Sequence, residues 1–161
     1  MQSFGADELS LPTYRRYLLL QWRLHAPLEV ALARWLPADW VTLRLRKSDW
    51  LRRDLQTLGW QPVESPAQRC EIESVAQALG VLYVLEGSTL GLQVVRRQLQ
   101  QRHPAVLCAS RFILGYGADT GRHWRDFLAR LETLDRAGWP LAESAACATF
   151  AHFLDAFSRV E

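Results

Sequence analysis

Leu82–Gln93, LYVLEGSTLGLQ, lies in the middle of the 161-residue chain and decides how the rest is read. Apolar residues recur at helical spacing on both sides, with Val75, Leu79, Leu82 and Leu85 before the motif and Val94, Val95 and Leu99 after it. In one continuous helix Gly87 and Gly91, four residues apart, leave bare backbone on the same side. Ser88 and Thr89 add small polar groups beside that patch. A glycine weakens a helix interior by about 1 kcal/mol relative to alanine, so a pair of them needs a reason. Either another helix packs there backbone to backbone, or something flat and bulky lies against the helix. From the residues alone, helix packing is the commoner of the two.

The composition is that of a single folded domain spanning residues 1–161. Seven tryptophans and 49% hydrophobic residues are enough for a sizeable core. The formal charge of +2 gives no ground for a nucleic-acid partner. Arginine dominates the basic set, and Lys47 is the single lysine. Cys70, Cys108 and Cys147 show no metal-ligand spacing, which reads as reduced thiols in a cytoplasmic protein. Met1–Leu9 carries acids and no targeting pattern. The apolar stretches, such as Val75–Leu85, are interrupted by polar groups short of spanning length, so no membrane partner is expected.

Taken in order, Ser10 caps a helix with Pro12 in its first turn. Its apolar pattern runs to Trp35–Leu36, with a kink expected at Pro27 and a stop at Pro37. Ala38–Arg46 reads as a connector, and Ser48 or Asp49 as the cap of a helix over Trp50–Leu58 closed by Gly59. Ser65-Pro66-Ala67-Gln68 has the form of a capping box for the long helix, which reaches about Gln101 with Gly80 as a weak point. Ala105–Leu114 is a short apolar piece, and Gly115-Tyr116-Gly117 a loop. Asp119 or Thr120 caps the next helix, Gly138 terminates it, and Pro140 opens a last helix over Leu141–Val160. Phe150, Phe153, Leu154 and Phe157 then form one face of that helix. No stretch reads as a strand, and the expected fold class is all-α.

YVLEGSTLG followed by Gln93 resembles the distal-helix signature of biliverdin-producing heme oxygenases, best the bacterial kind associated with phytochromes. LSLPTYRRYLLLQWRLHAPLE, residues 9–29, resembles that family's second helix. RFILGYGADTGRHWRDFLARLETL, residues 111–134, resembles its pocket-rim loop and helix. The resemblance implies a multi-helix bundle in which the glycines lie against the face of a heme. It implies oxygen-dependent cleavage of that heme to biliverdin, iron and carbon monoxide, with molecular oxygen as co-substrate and a ferredoxin or reductase as electron donor. Beside it stand two alternatives, a heme- or tetrapyrrole-binding relative without turnover and a structural relative without heme.

By the same resemblance Gly87 and Gly91 are the heme-contacting residues, and Ser88 takes the place of the group that orders distal waters. Leu92 departs from the usual second glycine, and Gln93 is expected in a structural hydrogen bond. Arg125, then Arg122 and Arg130, are the candidate propionate partners, with Tyr83 and Tyr116 at the pocket edge. Arg96 and Arg97 would meet an acidic electron donor. The family's iron ligand is a histidine on a first helix upstream of where this sequence begins its match, so the chain reads as N-terminally truncated relative to the family. Of the four histidines present, His103 and His152 have ordinary readings, at a helix end and in packing, and His123 on the pocket rim could touch a propionate. His25 is either a core histidine, a proton relay or a candidate metal ligand.

Overall fold

The computed structural model describes residues 10–62 and 71–159, and among these the regular elements are all helical. Helix α1 spans Leu11–Leu32, α2 Ala38–Arg44, α3 Lys47–Thr57 and α4 Val75–Arg102. A 3-10 turn over Pro104–Ala109 and the single turn α5, Arg111–Leu114, lead to a second 3-10 turn, Gly117–Asp119. Helices α6, Thr120–Leu131, and α7, Gly138–Ser158, complete the fold. The all-α expectation holds.

The Ser10 hydroxyl accepts the Thr13 N–H at 3.2 Å, capping α1 as the sequence indicates. Tyr14, Leu18, Trp22, Leu28 and Leu32 then form its buried stripe. The helix continues through Pro27 but stops at Leu32, short of the apolar pattern. Trp35 leaves the helix to donate its indole N–H to the Ile72 carbonyl at 3.1 Å. The presumed connector after Pro37 is the short helix α2. Its one buried side chain is Arg44, so tertiary contact rather than apolar periodicity holds it.

The caps of α3 and α5 are supplied from other helices. Neither Ser48 nor Asp49 caps α3, which begins at Lys47. Glu29 of α1 does so, its carboxylate accepting the Lys47 N–H at 2.7 Å and the Ser48 N–H at 3.2 Å. Asp54 of α3 treats α5 in the same way, accepting the Arg111 and Phe112 N–H groups at 3.0 and 2.9 Å. A carboxylate at a helix N-terminus satisfies orphan donors and complements the helix dipole. Burial pushes both acids upward, and the hydrogen bonds they accept pull back against it.

The box expected at Ser65–Gln68 lies outside the described residues. A second S-x-x-Q, Ser74–Gln77, starts α4: the Ser74 hydroxyl accepts the Gln77 N–H at 3.1 Å, and the Gln77 carbonyl oxygen accepts the Glu73 N–H at 2.7 Å. Helix α4 is the axis of the molecule. Its Leu79, Leu82 and Leu85 join Leu28, Leu32, Phe127 and Leu131 in one cluster. Its Leu92 and Leu99 join Tyr14, Leu18, Leu51, Leu55 and Phe112 in the other. Contrary to the sequence reading, α4 is long and apolar enough to cross a membrane, with mean hydropathy 1.5 over its most apolar window. Half of that window is buried inside the protein, as a core helix requires.

The sequence also misplaces the start of α7, and its expected face packs only in part, Phe153 reaching the core and Phe157 lying 6.2 Å from Tyr17. Gly138 opens this helix instead of closing α6, its N–H held by the Asp135 carboxylate at 2.7 Å. The packed side carries Ala142 and Thr149, while Phe150 and Leu154 remain 58% and 54% exposed. Gly80 supplies the reason. A Cβ there would stand 2.0 Å from the Ala142 carbonyl oxygen, so α4 and α7 meet backbone to backbone and only small residues fit between them. The tight crossing is at Gly80, not at Gly87 and Gly91.

The glycines of α4 therefore differ in what they contribute to stability. Gly80→Ala forces the crossing apart and is expected to cost about 3 kcal/mol in urea unfolding. Gly91→Ala adds a methyl group with no described residue within 4 Å and is expected to stabilise by about 0.5–1 kcal/mol through helix propensity.

Candidate functional site

Gly80, Gly87 and Gly91 recur at steps of seven and four, so they share one side of α4. Helix α7 covers the first. Over the second, a Cβ would lie 3.5 Å from Cη2 of Trp124 on α6. Over the third, it would meet none of the described residues within 4 Å. Leu90 and Val94 flank Gly91 and are exposed. The result is a bare apolar strip, walled by an indole at one end and open at the other. A flat ring system fits such a strip, because no side chain holds it off the helix backbone. Leu92, the departure in the motif, is buried in the core beside Phe112 and points away from the strip. Gln93 ties the floor to the rim, its amide donating to the Leu114 carbonyl at 3.3 Å and to Thr120 Oγ1 at 3.5 Å. That is the structural role expected of it.

Ser88 is half-buried and donates its hydroxyl to the Leu85 carbonyl at 2.8 Å. Its oxygen keeps acceptor capacity. Tyr83 is 43% exposed and packs against Trp124 with ring centroids 5.4 Å apart. Trp124 in turn stacks on Phe127 at 5.6 Å. Arg125 is exposed and folds back along the first turn of α6, its Nη1 3.6 Å from where a Gly121 Cβ would be. Arg122 pairs with Asp119 at 3.2 Å, and Arg130 donates to Thr133 Oγ1 at 2.8 Å. Gly87, Tyr83 and Trp124 thus come together at one edge of the strip, with Arg125 on the residue next to the indole.

Tyr116 turns inward instead. Gly115 and Gly117 adopt φ of +55° and +58°, a region closed to most side chains, and these two turns swing the tyrosine into the protein. Its ring lies edge-on to Trp50 and 4.4 Å from His123, and its hydroxyl donates to Glu86 Oε1 at 2.9 Å. There it joins a buried cluster that the sequence reading missed. Arg44 Nη1 donates to Glu86 Oε2 at 2.7 Å and Lys47 Nζ to Glu86 Oε1 at 2.6 Å, all three side chains only 1% exposed. Burial and the adjacent Glu86 charge both raise the Tyr116 pKa, keeping its donor proton in place. The only signal in the sequence was Lys47 itself, the lone lysine of a chain that otherwise uses arginine.

His25 is fully enclosed, its ring edge-on to Phe112 and Phe153 at 5.3 and 5.4 Å. Nδ1 lies 2.9 Å from the Gln21 carbonyl, which only accepts, so the proton sits on Nδ1 and buried Nε2 has no hydrogen-bond partner among the described residues. Burial, with the Lys47 charge adding to it, lowers its pKa to about 3. His123 is buried as well, and His103 caps the end of α4. His152 is half-buried on α7.

The His25 environment makes stability pH-dependent with a definite sign. The unfolded chain takes up this proton near pH 6.5 and the folded protein only near pH 3, so the contribution of His25 is complete above 6.5 and falls away as pH drops between the two. The raised acids Glu29 and Asp54 act with opposite slope. Comparing urea stability of His25→Phe with the parent from pH 6.5 to 4.5 isolates the histidine. The parent should lose about 1.4 kcal/mol more per pH unit.

No protein-family model matches the chain. It is 36% identical to the heme oxygenase of Xanthomonas campestris pv. campestris strain 8004, over 95% of this chain and 93% of that protein. Its fold matches the crystal structure of the NO- and CO-bound heme oxygenase from Neisseria meningitidis with a TM-score of 0.72, covering 92% of this chain and 76% of that one at 24% identity. The glycine-faced helix, the helical architecture built around it and the near-full-length likeness to the Xanthomonas protein agree: this chain belongs to the heme oxygenase family.

Proposed function

We propose that the protein cleaves heme, with molecular oxygen as co-substrate, to biliverdin, iron and carbon monoxide. The observation that carries this reading is the bare strip of α4, open at Gly91 and walled by Trp124 at Gly87. A flat apolar macrocycle gains contact there and releases water from both surfaces. When bound, the iron porphyrin supplies the oxygen chemistry, while the protein binds, orients and shields it.

Gly87 and Gly91 would hold the ring face, and Tyr83 and Trp124 would bound one edge. Arg125, exposed beside Trp124, suits a propionate carboxylate, and Arg122 would have to leave Asp119 to do the same. Ser88 offers its remaining lone pairs to a water beside the strip, where a proton donor is needed. Tyr116 contributes by fastening the rim loop to Glu86. Electrons would come from a ferredoxin or a reductase, with Arg96 and Arg97 beyond the motif as the cationic contact for an acidic donor. A cytoplasmic enzyme supplying chromophore to a bacteriophytochrome, with neither membrane nor nucleic acid as partner, suits the kind of sequence it resembles. A second reading, a tetrapyrrole binder without turnover, is favoured by His25. That candidate ligand is enclosed in the core.

Titrating the purified protein with hemin, followed by ascorbate under air, tests the proposal. A saturable Soret band that decays to a biliverdin spectrum is expected, whereas a stable band favours the second reading and no saturable band sinks both. Gly91→Leu fills the strip and should weaken hemin binding by about tenfold or more, although the same variant should fold normally. Arg125→Glu should weaken it by about threefold to tenfold without changing the unfolding midpoint.

A further inference from the structure

We infer that Arg44 is a positioning residue that sets the gap between the floor and the wall of the glycine strip. The inference rests on reading that strip as the heme surface.

Glu86 immediately precedes Gly87 in the floor, and His123 immediately precedes Trp124 in the wall. Arg44 joins the two. Its Nη1 donates to Glu86 Oε2 at 2.7 Å, and Nη1 and Nη2 each donate to the His123 carbonyl at 3.2 Å. The guanidinium is only 1% exposed and lies 4.2 Å from the centre of the Trp40 ring, so its plane is fixed by packing as well as by hydrogen bonds. The indole of Trp124, 3.5 Å from where a Gly87 Cβ would stand, faces the bare Gly87 and closes the circuit.

This circuit runs Gly87, Glu86, Arg44, His123, Trp124 and back to Gly87, and the hydrogen bonds in it are short. The His123 carbonyl lies inside α6, so Arg44 uses the lone pair left over by the helix ladder and holds the main chain of α6 rather than a movable side chain. Lys47 cannot substitute for it. Its ammonium is taken up by Glu86 Oε1, Tyr116 and the Arg44 carbonyl. A lysine at position 44 would keep the charge that Glu86 needs but would lack the planar fork that reaches two acceptors at once.

The test is Arg44→Lys beside Asp54→Asn, which loosens the α5 cap as a control for general destabilisation. Amide hydrogen exchange of the ligand-free proteins over residues 120–128 is read first, then hemin affinity and Soret position. Arg44→Lys should raise exchange across that segment by about tenfold relative to α7. It should also weaken hemin binding by about tenfold and shift the Soret band, more than Asp54→Asn does at equal unfolding midpoint. Unchanged exchange in 120–128, or equal affinity loss in the two variants, overturns the inference. If Arg44→Lys does not fold, Trp124→Ala removes the wall and leaves the clamp. Wild-type affinity and Soret position in that variant overturn the inference equally, and about tenfold loss with normal exchange in α6 supports it. Parent protein that binds no hemin sinks the reading of the strip as a heme surface. Faster exchange of α6 in ligand-free Arg44→Lys would still establish the clamp.

Discussion

The buried Glu86 carboxylate is the constraint on which the other parts of this structure depend. A charge shielded from water is tolerated only when opposite charges and donors surround it, and removing one partner of such a group typically costs about 3–5 kcal/mol. Glu86 meets that requirement with Arg44, Lys47 and Tyr116, which come from α2, the first turn of α3 and the loop before α6. Three pieces of chain with little apolar periodicity of their own are thereby fastened to one point of α4. Hydrophobic packing is permissive about small shifts, whereas a guanidinium and an ammonium on one carboxylate admit few arrangements.

Glu29 and Asp54 extend the same logic along the chain. Each sits on one helix and ends at the N-terminus of another, so that α1 fixes the start of α3, and α3 fixes the start of α5. The helices are thus registered by side chains that reach across the core, and the loops between them need not specify the geometry. The glycine strip inherits this definition. Its floor belongs to the helix that carries Glu86, and its wall to the helix whose His123 carbonyl Arg44 holds.

What could be read from the sequence follows from this division. Helices α1, α3, α4, α6 and α7 announce themselves through local signals: Ser10 as a cap, apolar spacing, the proline in the first turn of α1. The LYVLEGSTLGLQ motif likewise reveals a bare helix face without any knowledge of partners. Features that need two distant segments stayed hidden. Helix α2 has no stripe because one arginine holds it, and the start of α3 is capped from eighteen residues away. The packed side of α7 is legible only in part, because small residues on α4 and α7 take the crossing and leave Phe150 and Leu154 outside while Phe153 packs. The site divides in the same way. Gly87, Gly91, Tyr83 and Arg125 gather along one strip, Tyr116 turns into the interior, and Arg44 was not a candidate at all.

Gly91 has a bearing on how this chain changes over generations. Most glycines in tight structures are retained because nothing else fits, and their presence says little about use. At position 91 no described residue lies within reach of an added Cβ and the backbone is ordinary helix, so the packing of the described residues would accept alanine, serine or larger residues. A molecule that lies against the helix would select against them. Position 91 therefore works as a molecular record. A lineage that stopped using this surface would be free to lose the glycine there early, while Gly80, required by its crossing with α7, stayed in place.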